Sequence, residues 1–512
     1  MMVMMIAMTP SLNASSLPEL ITGSRSLIWN LPPVRYASCT MIKPFGTLLA
    51  AIGLGSFHIA GVWAAAPLPP DADRQLARDM LKTLIEINTT HAHGSTEAAK
   101  AIQAWALTAG FAPSDVVLIA PPDQPTKGNV IVRYRGKHPG KPVLFLGHLD
   151  VVEAKPEDWS VDPFTLTEKD GYFYGRGTID MKDGDAALAE SLIRLKRERF
   201  VPERDIIVAF TADEEAGGDS NGPAFLLKEH RDLIDAGLAV NFDGGGGNLK
   251  NGVPFYFEVG TSEKTYVTYT LETTSPGGHG SLPGPDNAIY RLADALSRLE
   301  AYKFPVMLTA TTRLSFEALA VVDPGPASVD MKAVAGTQPD LAAAERLSQN
   351  VRLNALLRTT CVATLISGGH AENALPQRAR ATIQCRMMPG DTEANVRAQL
   401  LGTLNNPAVR VTLDAPPIVS PESPPTPQLM EKIAVLVHSM WPGVPVIPTM
   451  ATGFSDDRRT RNAGIPSYDV NGIFQDVDEN RAHGRDERVG VAAFDESVEF
   501  TYRLLKSMGR SK

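Results

Sequence analysis

Apolar residues recur at helical spacing early in the patterned part of the chain. Leu76, Met80, Leu81 and Leu84 share one side of an amphipathic helix predicted over 71–87, and a second helix is predicted over 96–109. Two short apolar runs follow, 129–132 and 142–146, each bounded by turn residues, which is the form of strands buried on both faces. Helical spacing returns over 185–198, where Leu188, Leu192, Ile193 and Leu195 make the buried side. The runs 205–211 and 238–242 read as further strands, with a helix ending near His230 between them. Strands alternating with helices predict an α/β fold, a mostly parallel sheet flanked by helices.

The pattern changes after about residue 262. A long alternating strand over 265–273, a helix over 288–299 and strands over 360–367 and 379–386 predict a smaller α+β domain inserted into the first. The stretch 305–357 is rich in alanine and leucine and helical in pattern, an expected elaboration within that insert. After Pro425 the α/β character returns with a helix over 430–438, a strand over 467–470 and a closing helix over 491–505. The expected organisation is a leader, 1–64, an α/β domain in two parts, 65–261 and 416–512, and an inserted domain, 262–415. A length of 512 residues agrees with more than one domain.

Composition adds two things. A net charge of −9, with no lysine- or arginine-rich run, gives no cationic field for phosphates, so nucleic acid is not an expected partner. The leader has the form of a secretory signal peptide: a cationic start at Met41-Ile42-Lys43, an apolar run over 44–62 and small residues before Pro67. Met41 is the expected initiator, and export to the periplasm or beyond is the expected destination. Cys39 leaves with this segment. Cys361 and Cys385 sit in the two strand-like runs of the insert, where they could be neighbours; their bonding stays open at this level.

Candidate chemistry falls just beyond strand ends, where open α/β sheets place ligands. His148, Asp180, Glu215, Asp243 and, far downstream, His483 offer imidazole and carboxylate donors suited to zinc or another divalent first-row ion. Five side chains serve two ions only if one carboxylate bridges. Asp180 is the expected bridge, because Gly175 and Gly177 let its loop approach closely. Asp150, two residues past His148, is expected to take the second imidazole N–H. Glu214 beside Glu215 is expected to face the site as a general base.

These segments, His148-Leu149-Asp150, Gly175-Arg176-Gly177-Thr178-Ile179-Asp180, Asp213-Glu214-Glu215, Asp243 and His483-Gly484, resemble the co-catalytic dizinc exopeptidases. That family holds carboxypeptidase G, aminoacylase, carnosinase-like dipeptidases and the Gly-X carboxypeptidases, and the chain looks most like the last branch. The resemblance implies two zinc ions, with cobalt or manganese as substitutes. His148, Asp180 and Asp243 would hold one, Asp180, Glu215 and His483 the other, and Glu214 would be the base. It also implies a lid that dimerises and presents His279 to the oxyanion, with Asn373, Arg386, Gly453 and Ser455 toward substrate, Arg386 gripping a carboxylate.

The implied reaction is hydrolysis of an amide in a small peptide, of carboxypeptidase or dipeptidase type. The alternative is an N-acyl amino acid. A silent binding protein on the same fold is the rival class, and retention of all five ligands with Glu214 argues against it. One departure is visible: Asp486-Glu487 stands where the family often has Asn-Glu, which puts the contacts around His483 in question.

Overall fold

A computed structural model describes residues 66–479 and 481–510 of the chain, so the expected leader over 1–64 lies outside the described residues. Among these residues ten strands form a large sheet. Its order is Val116–Ile119, Asn129–Tyr134, Ile206–Thr211, Val143–His148, Leu238–Asn241, Ser467–Asp469, Val253–Glu263, Gly246–Lys250 and Phe474–Asp476, with Val446–Ala451 also paired to Val253–Glu263. The four central strands, from Ile206–Thr211 to Ser467–Asp469, run parallel. This is the α/β architecture that the apolar runs predict.

Alternation along these strands feeds two cores. Val143 and Phe145, with Ile206, Val208 and Phe210, point to one face, where helices Asp71–Glu86, Thr96–Thr108, Lys182–Arg197, Pro427–Met440 and Val491–Met508 pack. Leu144 and Leu146, with Ile207 and Ala209, point to the other face, against Phe225, Leu226 and Ile234. Each such side chain contributes about 1.5–3 kcal/mol when fully buried. A one-residue slip would exchange the two faces, so the register is strongly held, and with it the positions of the strand ends.

A second sheet is antiparallel, in the order Thr360–Gly368, Arg378–Met387, Thr265–Thr274, Arg410–Leu413. Helices Ala288–Ala301 and Glu393–Leu404 cover one face, packing Leu292, Leu299, Val396 and Leu400 on Tyr269 and Ile383. Cys361 and Cys385 are directly opposite in this sheet and form a disulfide. Only Lys264 separates the large-sheet strand Val253–Glu263 from Thr265–Thr274, so one continuous segment joins the sheets.

The helical stretch expected inside the insert packs elsewhere. Helix Ala310–Val322 lies on the large sheet: Ser315 Oγ donates to the Pro448 carbonyl (2.6 Å) and Thr311 bonds Thr261 (2.7 Å). Helices Pro326–Ala335, Leu341–Leu347 and Val351–Leu357 build a separate small core on it around Phe316 and Leu347. The range 262–415 therefore encloses residues that belong spatially to the large sheet.

Strand Gly246–Lys250 has no apolar pattern to announce it. Gly245 and Gly246 adopt φ of +72° and +95°, and a Cβ on Gly245 would come within 2.4 Å of the Asp469 carbonyl oxygen. The glycine run is thus a tight entry into a hairpin with Val253–Glu263.

Candidate metal centre

His148 is the last residue of its strand and is buried. Gly147 before it has to be glycine, because a Cβ there would lie 2.3 Å from Asp185 Oδ1. His148 Nδ1 is 3.1 Å from the Asp150 carbonyl oxygen. A carbonyl only accepts, so Nδ1 carries the proton and Nε2 is left facing the carboxylates. This corrects the expectation for Asp150. Its backbone, not its carboxylate, is the ring's near partner; the carboxylate stands 3.7 Å away and accepts instead from the amides of Glu214 (3.1 Å) and Glu215 (3.0 Å). Asp150 ties the His148 strand end to the Glu214 loop.

Asp180 stands between two imidazoles. Its Oδ1 is 3.1 Å from His148 Nε2 and its Oδ2 is 3.0 Å from His483 Nε2. Asp243 Oδ1 approaches His148 Nε2 to 3.5 Å, and Glu215 Oε1 approaches His483 Nε2 to 2.9 Å. Ligand atoms of His148, Asp180 and Glu215 lie within 4.8 Å of one another, and so do those of His148, Glu214 and Asp243. The five expected ligands and Glu214 are thus brought into one place from one strand end and four separate loops.

The electrostatics are those of a site short of positive charge. Burial drives the Glu214 carboxyl well above the usual range, reinforced by the charges of Asp243, Asp456 and Glu215. Burial likewise raises Asp243 to about 7, against the pull of His148. Burial opposes ionisation of Asp180 too, but hydrogen bonds from His148 and His483 outweigh it and hold this carboxyl well below its ordinary value. The same contacts with Asp180 and Glu215 raise His483 to about 10. Against the effect of burial, the Asp180 and Asp243 carboxylates also raise His148 well above its usual range, so the cluster as a whole favours positive charge. Glu214 Oε1 is buried and has no protein partner. A nitrogen and oxygen donor set with an unpaired buried carboxylate oxygen fits divalent ions.

Arg176 and Glu487 lock together the Asp180 and His483 loops, which lie far apart in sequence. Glu487, fully buried, accepts from Arg176 Nη1 (2.5 Å), Gly177 N (2.9 Å) and Ile179 N (3.0 Å). Arg176 Nη2 donates to the carbonyls of His483 (3.3 Å) and Gly484 (3.0 Å), and its guanidinium lies over Trp159 at 5.0 Å. The Asp180 loop cannot move without the His483 loop. Asp486, the departure from the family pattern, accepts from Ser160 N (2.7 Å) and Oγ (2.9 Å), fastening a third loop. Glu487→Gln leaves the Arg176 charge uncompensated. It should cost about 3 kcal/mol of stability, seen as a lower urea midpoint, and weaken metal retention. An unchanged midpoint and metal content would refute this.

The spacing between Arg176 and Glu487 hides this pairing in sequence. Also unforeseen are Asp456, held by Asn221 Nδ2 (2.6 Å) beside Thr211, and Lys127, whose Nζ pairs with Asp213 (2.6 Å) beneath the Glu214 loop. Asp213 has φ +56°, and its carboxylate also accepts from Ser220 Oγ. A side chain so placed lets the next two residues project into the site.

His279 and Asn373 are neighbours but stand apart from this cluster. His279 ends one strand of a two-stranded ladder and Asn373 precedes the other, both exposed, with Gly280 N donating to the Asn373 carbonyl (2.8 Å) and Ser281 Oγ 2.7 Å from His279 Nδ1. Neither has a hydrogen bond to a candidate ligand among the described residues. Arg386 stacks on Tyr266 and Phe454, with Cζ 4.9 and 5.3 Å from the ring centres. Gly453 is exposed with open space where a Cβ would be. Ser455 is different from expectation: it is buried, and its N and Oγ both donate to Glu263 Oε2 (2.7 and 3.1 Å). Its hydroxyl anchors the loop rather than facing substrate.

Residues 144–507 match the family described as Peptidase family M20/M25/M40. Among curated proteins, the N-fatty-acyl-amino acid synthase/hydrolase PM20D1 of Xenopus tropicalis is 31% identical over 377 residues, covering 72% of each chain. The probable carboxypeptidase S-like 2 of Dictyostelium discoideum is 30% identical over 379 residues, again 72% of each. Among solved structures, the M20 family metallo-carboxypeptidase Sso-CP2 of Sulfolobus solfataricus shares the fold. Its TM-score is 0.62 at 18% identity, over 85% of this chain and 99% of that one.

Proposed function

The chain belongs to peptidase family M20/M25/M40 and is a metal-dependent hydrolase, and from that premise we propose that it releases a terminal amino acid from a small peptide by cleaving its amide bond. The observation that carries this is Asp180, with one carboxylate oxygen toward His148 and the other toward His483. His148, Asp180 and Asp243 would hold one divalent ion and Asp180, Glu215 and His483 a second, zinc by donor preference. Such ions would supply Lewis acidity at the scissile carbonyl and at the attacking water.

The chain's own residues do the rest. Glu214, with a free buried oxygen and a raised proton affinity, takes the proton from the attacking water and returns it to the leaving nitrogen. Asp150 holds the amides of Glu214 and Glu215, so base and ligand keep fixed directions. Arg386 offers a stacked guanidinium to the carboxylate of the released amino acid.

The similarity to PM20D1 favours a second substrate class, N-acyl amino acids. Dipeptides and N-acetyl amino acids tested on the metal-loaded protein decide between the two. Hydrolysis of neither, with two ions bound, refutes the amidase reading.

A homodimer through the small sheet is part of this reading. Strand Thr360–Gly368 is an edge strand and exposes Val362, Leu365 and Ile366, an arrangement that a second copy would cover. A partner so docked is also what would bring an exposed His279 toward a cluster it does not reach within one chain. Leu365→Lys with Ile366→Lys should convert a dimer to a monomer in light scattering and lower turnover. A wild-type monomer of full activity would overturn the proposal. Export fits the leader pattern and the Cys361–Cys385 disulfide, a bond that persists in oxidising compartments.

A further inference from the structure

Two guanidiniums meet at one aromatic ring. Arg458 Cζ lies 3.9 Å from the centre of Phe454, and Arg386 Cζ lies 5.3 Å from the same centre. Phe454 in turn meets Tyr266 edge-on at 5.8 Å, and Tyr266 is partly exposed, so the cluster opens to solvent on that side. Stacking occupies the faces of a guanidinium and leaves its N–H edges for a planar acceptor. Those edges lack one here. Arg386 Nη1 and Arg458 Nε are buried without a hydrogen-bond partner, and neither arginine forms an ion pair among the described residues. Arg458 is only 8% exposed.

The acids nearby are already taken. Glu263, which acts on Arg386, accepts from Ser455 and Ser420 and faces Arg461. Asp456, which feels Arg458, is bonded by Asn221. Lys264 adds a buried amine whose Nζ donates to the Arg358 carbonyl (2.7 Å), and burial together with Arg386 lowers it to about 7. Two like charges on one ring, Arg458 buried and Arg386 half-buried, are costly without counter-ions unless an anion joins them. One carboxylate on Arg386 would leave Arg458 uncompensated. An acidic amino acid carries two.

We propose that Arg458 is a specificity-determining residue that binds a side-chain carboxylate, so that the amino acid released by the enzyme is acidic, aspartate or glutamate. The α-carboxylate goes to Arg386, and Phe454 holds the two guanidiniums within reach of a single small residue. The loop that carries Phe454 and Arg458 also carries Asp456, whose charge acts on Glu214, so this loop borders the candidate base. The proposal rests on the amidase reading above and names its substrate class.

The test compares amides of glutamate with those of glutamine, which differ in charge but scarcely in shape. Ala-Glu and Ala-Gln, with N-acetyl-Glu and N-acetyl-Gln, are assayed on the full metal-loaded enzyme. The expected result is kcat/KM at least tenfold higher for the glutamate member of each pair, expressed in KM. In Arg458→Met the loss on the glutamate substrate should exceed the loss on the glutamine substrate at least tenfold, whereas Arg386→Met should lower both alike.

Equal rates for Glu and Gln in the wild type overturn the inference without any variant, so a poorly folding Arg458→Met leaves it testable. An Arg458→Met that harms both members equally also overturns it, since the two arginines would then share one carboxylate. If no member of the panel is hydrolysed, the amidase reading itself fails. If the glutamine members are cleaved without a glutamate preference, only the specificity assignment does.

Discussion

Asp180→Ala protein is expected to lose both metal ions together and to retain the fold. In the wild type the two carboxylate oxygens of Asp180 face different imidazoles, 3.1 Å to His148 and 3.0 Å to His483, and among the described candidate ligands no other carboxylate lies between both imidazoles in this way. Removal leaves each ion with two protein ligands, too few for the three that such sites usually provide. Metal analysis after dialysis should fall from about two ions per chain, as in two-metal hydrolases, to nearly none. His483→Ala should weaken mainly one ion, because His148 and Asp243 remain around the other. The fold survives because Asp180 lies in a loop and the core around Phe145 and Phe210 is untouched. Two ions held tightly by Asp180→Ala would remove the bridging assignment.

Glu214→Gln should keep the metals and lose turnover. The exchange preserves shape and hydrogen bonding but cannot accept a proton. Glu214 is buried, its Oε1 has no protein partner, and burial with three neighbouring acids raises its proton affinity, which suits a group that takes a proton and gives it back. Acting in both directions it should be worth about 10³–10⁴ in kcat, the upper part of the range for proton transfer. The loss should fall on kcat, with KM and metal content close to wild type. Wild-type kcat in Glu214→Gln would sink the base assignment, and loss of metal would make Glu214 a ligand instead, as its proximity to His148 and Asp243 permits.

The candidate site was legible because its residues belong to short local words. His148-Leu149-Asp150 closes an apolar run, and Asp180 lies among glycines, so strand ends and tight loops could be found without a structure. Ser455 shows the limit. A small polar residue in a glycine loop looks available to substrate, yet its partner Glu263 closes a strand far away in sequence. Asp150 shows a second limit: adjacency to His148 suggests a carboxylate on the ring, while the choice between its side chain and its carbonyl depends on where the Glu214 loop lies.

Periodicity alone therefore settled the parallel centre, the flanking helices and the ends at which chemistry could occur, because burial on a sheet or helix face has to be written into spacing of 2 or 3.6 residues. It could not settle pairings across long stretches of chain. Arg176 with Glu487, Lys127 with Asp213, helix Ala310–Val322 on strand Val446–Ala451, and the meeting of Arg386 with Arg458 at Phe454 leave no periodic mark. Each is decided by which elements the packed sheets bring together, and a buried charge shows its partner, or its lack of one, only there.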